Sequence, residues 1–180
     1  MLVGLTGRNA SGKTTVVQWF ESRGVRTLSC SDSIRRWLSE EGIEEARESL
    51  IEGGRELRRR GGAGVLAEML LQELSGDDAV IDSIRTPGEV EVLRARDDFV
   101  LIEVRAGADS RWQRSQERAR PGDPSDRTAF VSQEAEEEVA LDAAGQALVA
   151  TAEMADLVLF NVGSIEDLHD DLEDLIGRLP

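Results

Sequence analysis

Short apolar runs alternate along the chain with longer amphipathic ones, and the two follow different periods. Leu2-Val3-Gly4-Leu5-Thr6 is apolar at consecutive positions, as expected of a strand buried on both faces of a parallel sheet. Thr14-Thr15-Val16-Val17-Gln18-Trp19-Phe20 instead reads as an amphipathic helix, closed by Gly24. Val25–Ser29 predicts a second strand. Residues 31–75 then read almost entirely helical, in pieces broken near Gly42 and at Gly61-Gly62-Ala63-Gly64. Ala79–Asp82 is a short buried strand followed by a helix over Pro87–Ala95, and Phe99–Val104 is a fourth strand. An arginine-rich stretch over 111–127 comes next, helical and then looped, and a long helical region runs to Ala155. Leu157–Asn161 is the last strand. The final helix opens on Ser164-x-x-Asp167, close to a capping box. It repeats Ile165, Leu168, Leu172, Leu175, Ile176 and Leu179 on one face, a stripe expected to pack on the core. Strands alternating with helices predict an α/β fold with a five-stranded parallel sheet.

The first strand and helix are joined by Gly7-Arg8-Asn9-Ala10-Ser11-Gly12-Lys13-Thr14, which fits G-x-x-x-x-G-K-[ST], the phosphate-cradling P-loop. The two glycines let the backbone turn so that successive N–H groups point at a polyphosphate. Residues Asn9, Ala10, Ser11, Gly12, Lys13, Thr14 and Thr15 form that cradle, and the helix N-terminus adds its unpaired amides. Lys13, the single lysine of the chain, is expected to reach the β- and γ-phosphates of ATP, and the Thr14 hydroxyl to ligate Mg²⁺.

Composition narrows the partners. A chain of 180 residues is expected to form one domain with a full core. Its net charge of −15 opposes non-specific binding to nucleic acid or anionic lipid, so a phosphate ligand needs a local cluster of positive charge. The single cysteine, Cys30, excludes an internal disulfide and reads as a small buried residue at a strand end. No run approaches the roughly 18 apolar residues of a membrane span, and the opening apolar stretch reads as a strand rather than a leader. A cytoplasmic protein is expected. Neither composition nor pattern points to a particular oligomeric state.

Ligands of open parallel sheets sit outside the carboxyl ends of the strands, and three such ends carry suitable groups. The second strand runs into Ser31-Asp32-Ser33-Ile34-Arg35, where Asp32 and Arg35 share a helix face. The third ends in Asp82-Ser83-Ile84-Arg85, with Asp82 placed as a Mg²⁺-holding carboxylate. Each also fits a plain helix cap or strand-end ion pair, but the repetition of Asp-x-x-Arg at adjacent ends favours a ligand site. The third group is the run containing Arg111, Arg114, Arg118, Arg120 and Arg127, which either closes over a triphosphate or pairs with the acidic run Glu134–Glu138. Pro121-Gly122-Asp123-Pro124 marks an irregular tip suited to a lid.

These residues carry a family resemblance. Ser31-Asp32-Ser33-Ile34-Arg35 is similar to the Gly-Asp-x-x-Arg of adenylate kinases. Ile81–Thr86 followed by Glu89–Arg94 resembles a pattern of phage-type deoxynucleotide kinases. Ala155-Asp156…Asn161-Val162-Gly163-Ser164 looks like the ending of dephospho-coenzyme A kinases, which lies beside the adenine of ATP. Over nearly the whole chain the sequence most resembles archaeal-type dephospho-coenzyme A kinase-like ATPases, within the nucleoside-monophosphate-kinase branch of P-loop proteins. The resemblance implies a three-layer α/β P-loop fold, with an acceptor-binding helical insertion over about 31–75 and a lid over about 112–145. It implies transfer of the γ-phosphoryl of Mg²⁺-bound ATP to a small nucleotide-like acceptor. By the same resemblance, Asn161 and Gly163 flank the nucleotide, Asp32 orients or deprotonates the acceptor, and Arg35 and Arg85 bind its phosphate. Arg114, Arg118 and Arg120 are the lid arginines. The acceptor stays open between nucleoside or deoxynucleoside monophosphates and dephospho-coenzyme A, and a regulatory ATPase without a small acceptor remains the alternative.

Overall fold

The computed structural model describes residues 1–119, 123–139 and 144–177. Its strands are β1 (Leu2–Thr6), β2 (Arg26–Ser29), β3 (Ala79–Asp82), β4 (Phe99–Arg105) and β5 (Leu157–Phe160). They form one parallel sheet in the order β2-β3-β1-β4-β5. β1 is buried at every position, as its unbroken apolar run predicts. Successive side chains of a strand point to opposite faces, so the sheet feeds two cores. Leu2, Ala79, Ile81, Phe99 and Leu101 pack on one side, and Val3, Leu5, Val80, Ile102 and Val104 on the other.

The second face is covered by α1 (Lys13–Glu21) and α9 (Ile165–Ile176), through Val16, Trp19, Phe20, Leu168 and Leu172. The first is covered by α2 (Cys30–Glu40), α3 (Arg47–Gly61), α4 (Val65–Leu74) and α5 (Pro87–Leu93). Helices on both faces of a parallel sheet make the three-layer α/β architecture that the sequence predicts. α6 (Ala108–Arg118), α7 (Arg127–Glu138) and α8 (Leu148–Glu153) complete the helices among the described residues.

Several boundaries differ from the sequence-based expectation. The long helical region to Ala155 is two helices, because α7 ends at Glu138 and α8 begins only at Leu148. Of the expected stripe on α9, Leu168 and Leu172 are buried and Leu175 and Ile176 are half-buried, but Ile165 is exposed because it opens the helix at its free end. Leu179 lies outside the described residues. The Ser164–Asp167 box closes reciprocally, with Asp167 N donating to Ser164 Oγ at 3.1 Å and Ser164 N to Asp167 Oδ2 at 2.8 Å.

α5 begins with a second capping box. Thr86 accepts from Glu89 N, Pro87 occupies the first turn, and Glu89 returns a bond to Thr86 N. Here the acid does more than cap. Glu89 is fully buried; Oε2 accepts from Arg85 N at 2.8 Å, and Oε1 accepts from Arg58 Nη2 at 2.7 Å. Arg58 is itself buried, so the pair joins α3 to the turn after β3 inside the protein. Removing one member of such a pair strands a buried charge, which is far costlier than replacing both. Glu89→Ala is therefore expected to lose about 3–5 kcal/mol of stability in a urea titration, with a substantial part recovered in an Arg58→Met/Glu89→Leu double variant.

Candidate functional site

The loop between β1 and α1 adopts the turns that its glycines predict. Gly7 has φ of 131° and Gly12 φ of 110°, both in the left-handed region. Space forbids a side chain as well. A Cβ on Gly7 would meet Val104 O at 2.4 Å, and one on Gly12 would meet Asn161 Nδ2 at 2.1 Å. Gly12 caps α1 with its carbonyl, accepting from Thr15 N at 2.9 Å and Val16 N at 3.2 Å. The Lys13 and Thr14 amides that precede them lie too early in α1 to find an acceptor within the helix, which leaves a ready anion site at the end of the loop.

Lys13 turns its ammonium back onto the loop, donating to Gly7 O at 2.7 Å and Arg8 O at 3.0 Å. Although the residue keeps some exposure, desolvation of this inward-facing group lowers its pKa from 10.5 to about 8. The negative field of Asp82 opposes that shift, and Arg85 reinforces it. Asp82 closes β3, the strand paired in parallel with β1, and its Oδ1 is buried without a hydrogen-bond partner. Thr14, the second residue of α1, is exposed, and Thr15 is half-buried. Mg²⁺ bound with a polyphosphate takes one or two protein oxygens beside phosphate and water. Thr14 and the unpartnered Asp82 oxygen fit that donor set. Asn9 Nδ2 and Ser11 Oγ are likewise buried without partners in the loop itself.

The far strand end and α6 converge on the same loop. Asn161 follows β5, and its Nδ2 donates to Ser11 O at 2.9 Å. Arg114 donates to Ser11 O at 3.3 Å and to Asn161 Oδ1 at 3.1 Å, while Arg118 reaches Asn9 Oδ1 at 2.9 Å and pairs with Asp123. Ala10 stands in the left-handed region between these contacts, its N–H donating to Asn9 Oδ1 at 3.1 Å. Gly163 lies two residues beyond Asn161, where a Cβ would meet Asp167 Oδ2 at 2.5 Å. Arg120, with Pro121 and Gly122, falls outside the described residues. Arg111 and Arg127 turn away to ion pairs, Arg111 with Glu134 at 2.8 Å and Arg127 with Asp109.

Beside the loop opens a cleft of about 420 Å³. It is lined by Asn9 and Arg118, by Arg35 of α2 and Arg47 and Arg58 of α3, and by Ser83 and Arg85 from the turn after β3. Ser83 is held at φ of 64°, a left-handed conformation unusual for serine that re-aims the chain after Asp82. Cys30 also lines the cleft, its thiol pushed well up by burial. Arg35 donates to Glu45 Oε1 and to Asp32 Oδ1, at 2.8 and 2.9 Å. Asp32 is exposed in the first turn of α2, and it is Ser31, Ile34 and Arg35 rather than Asp32 that contribute to the cleft wall.

Two participants, Arg47 and Gln146, were not read from the sequence; Glu89 entered only within the Glu89–Arg94 resemblance and Glu137 only within the acidic run Glu134–Glu138. Arg85 Nη1 donates to Glu137 Oε2 at 3.0 Å and to Gln146 Oε1 at 2.8 Å, and Arg47 Nη2 donates to Glu137 Oε1 at 2.6 Å. Thr86-Pro87-Gly88-Glu89 carries the spacing of a capping box and could have been read from the chain. Arg47, Glu137 and Gln146 have no local signature, because the partners that give them meaning lie far away in the sequence.

No family model matches the chain. It is similar to archaeal proteins described as UPF0200 proteins. It is 28% identical to that of Hyperthermus butylicus over 182 residues, covering 99% of this chain and 95% of that protein. With that of Thermococcus kodakarensis it shares 27% identity over 187 residues, covering 99% and 98%. Among solved structures, TT1252 from Thermus thermophilus superposes with a TM-score of 0.64 at 23% identity, covering 100% of this chain and 98% of that one. Shikimate kinase from Bacteroides thetaiotaomicron gives 0.60 at 14% identity, covering 98% of each chain. A sugar kinase from Janibacter gives 0.56 at 16% identity, covering 98% and 94%.

The chain has a P-loop kinase-like fold. In this fold the Asn161 amide and Gly12 occupy one close-packed contact, and Asn161→Ala would leave the Ser11 carbonyl without that buried donor. The substitution is expected to cost about 1–3 kcal/mol and to speed amide hydrogen exchange in the peptide spanning residues 7–13. Unchanged exchange there would show that Asn161 does not hold the loop.

Proposed function

We propose that the chain is an ATP-dependent phosphotransferase that moves the γ-phosphoryl group of ATP to a small nucleotide-like acceptor. The observation carrying this reading is the arginine-lined cleft that shares Asn9 and Arg118 with the P-loop wall. A site for hydrolysis alone needs no second cationic cleft beside the first. Two anions must approach each other for phosphoryl transfer, and positioning plus charge neutralisation supply most of the catalysis.

In this reading Lys13 leaves the carbonyls of Gly7 and Arg8 for the β- and γ-phosphates. Asn9, Ala10, Ser11, Gly12 and Thr15 shape the cradle, with Asn161 and Gly163 on the nucleotide side. Thr14 and Asp82 hold Mg²⁺, which when bound neutralises charge on the β- and γ-oxygens. Arg114, Arg118 and Arg120 stabilise the charge that moves with the phosphoryl group. Arg35 and Arg85 bind the acceptor, oriented by Asp32. The cleft arginines favour an acceptor that ends in a phosphate monoester, a nucleoside or deoxynucleoside monophosphate, over dephospho-coenzyme A, whose phosphates form an internal diphosphate bridge. Phosphorylation of a ribose hydroxyl calls for a free base, and Asp32 is engaged by Arg35. That engagement equally suits the second reading, a regulatory ATPase with no small acceptor.

A screen of ADP release over nucleoside monophosphates, deoxynucleoside monophosphates and dephospho-coenzyme A separates these readings. The kinase reading expects stimulation by one acceptor class, with Arg85→Ala raising the acceptor KM on the order of tenfold to a hundredfold. If ATP binds and no acceptor stimulates turnover, the kinase reading is wrong.

Lys13 adds a pH dependence. Its pKa in the folded protein is depressed to about 8, and a bound triphosphate favours the charged form. ATP affinity is therefore expected to be full below about pH 8 and to fall as pH rises through it, approaching tenfold per unit. Stability of the ATP-free protein should move the other way. The penalty of holding a desolvated charge is present below about 8 and is relieved between 8 and the unfolded value of 10.5. Isothermal titration and denaturation across pH 7–10.5 would check both signs, with Lys13→Met as the control that flattens them.

A further inference from the structure

The carboxylate of Glu137 lies where a ligand would be expected. It comes from α7, across the cleft from the insertion, and its side chain is only 10% exposed. Its oxygens are divided between two guanidiniums, Arg47 Nη2 at 2.6 Å from α3 and Arg85 Nη1 at 3.0 Å from the turn after β3. Among the described residues no other carboxylate is paired with either of these arginines. The other cleft arginines are matched differently: Arg58 by Glu89, Arg118 by Asp123, and Arg35 by Glu45 and Asp32. Among the described residues these two guanidiniums therefore share a single paired carboxylate. Lys13 feels both Arg85 and Glu137, which places the pair within electrostatic reach of the P-loop.

We propose that Glu137 fills the seat of the acceptor's phosphate group, between Arg47 and Arg85, and must leave it for the acceptor to bind. This rests on the phosphotransferase reading and makes it more specific. A phosphate monoester carries close to two negative charges at neutral pH and offers three acceptor oxygens. It can satisfy both guanidiniums, Arg47 and Arg85, more fully than one carboxylate can. Glu137 also borders a second cavity of about 490 Å³, lined by Arg55 and Glu136 and sharing Arg47 and Gln146 with the cleft. Glu137 lines both spaces, together with Arg47, Ile51, Arg58 and Gln146. The rest of the acceptor then extends between α3 and α7.

The same exchange couples acceptor binding to α7. Neighbouring acids of this helix hold it down elsewhere, Glu138 on Arg8 of the P-loop at 2.5 Å and Glu134 on Arg111 at 2.8 Å. An acceptor that takes Arg47 and Arg85 removes the Glu137 anchor and leaves those two.

The test is titration of the full chain with inorganic phosphate while a non-hydrolysable ATP analogue saturates the P-loop. The wild type is expected to bind phosphate weakly. Glu137→Gln should bind it on the order of tenfold more tightly, and adding Arg85→Ala should abolish the gain. Unaltered phosphate affinity in Glu137→Gln would overturn the proposal. If affinity still fell in Arg85→Ala, the anion seat and the kinase reading would stand without it. Nucleoside monophosphates in the same titration distinguish an acceptor-borne monoester from free phosphate. Tighter binding of one of them is expected, and weaker binding of all of them than of inorganic phosphate would refute the assignment to an acceptor. Hydrogen exchange of wild-type α7 gives a measurement independent of any variant. Phosphate should speed exchange over residues 127–138, and no change at saturating phosphate would contradict displacement.

Discussion

One buried carboxylate fixes the geometry on which the candidate site depends. Glu89 takes Arg58 of α3 on one oxygen, and the amides of Arg85 and Thr86 on the other. It thus caps α5, pins the turn that carries Arg85, and anchors the insertion to the sheet. An unpaired carboxylate at this depth would be prohibitive, so insertion and turn must assemble together or not at all. Ser83, in the left-handed region, stands two residues before the Arg85 amide that Glu89 holds.

Around that anchor the charges are sorted rather than spread. A chain of net charge −15 places several of its arginines around a single cleft, and the acids of α7 face them. Glu134, Glu137 and Glu138 pair with Arg111, Arg47, Arg85 and Arg8, so α7 is docked by arginines from α6, α3, the turn after β3 and the P-loop. Low local dielectric strengthens such pairs. In the reading proposed above, the acids of α7 close the cleft to bulk anions while its arginines stay in place for a phosphate-bearing ligand.

The fold was largely legible in the chain. The apolar run Leu2–Thr6, the glycines flanking the loop, and the Ser164–Asp167 box all act through near neighbours, and each appears where expected. Errors arose where local pattern is ambiguous. The helical region to Ala155 resolved into α7 and α8, since polar helical sequence carries little signal for where a helix stops. α6 buries Arg111 and Ser115 rather than an apolar stripe, so its hydrophobic pattern says little about which way it faces.

The sequence by itself determined the strand–loop–helix that opens the chain, because backbone conformation at Gly7 and Gly12 is a local property. It also determined that acids and arginines would stand at the ends of β2 and β3. Only the tertiary structure decided which of them meet. Arg85 and Glu137 are 52 residues apart, Arg47 and Glu137 90, and Asn161 and Ser11 150. Pairings at such separation are set by how the sheet orders its strands and by which charges burial forces together. Arg47 and Glu137 in particular look, along the chain, like any other surface arginine or acid.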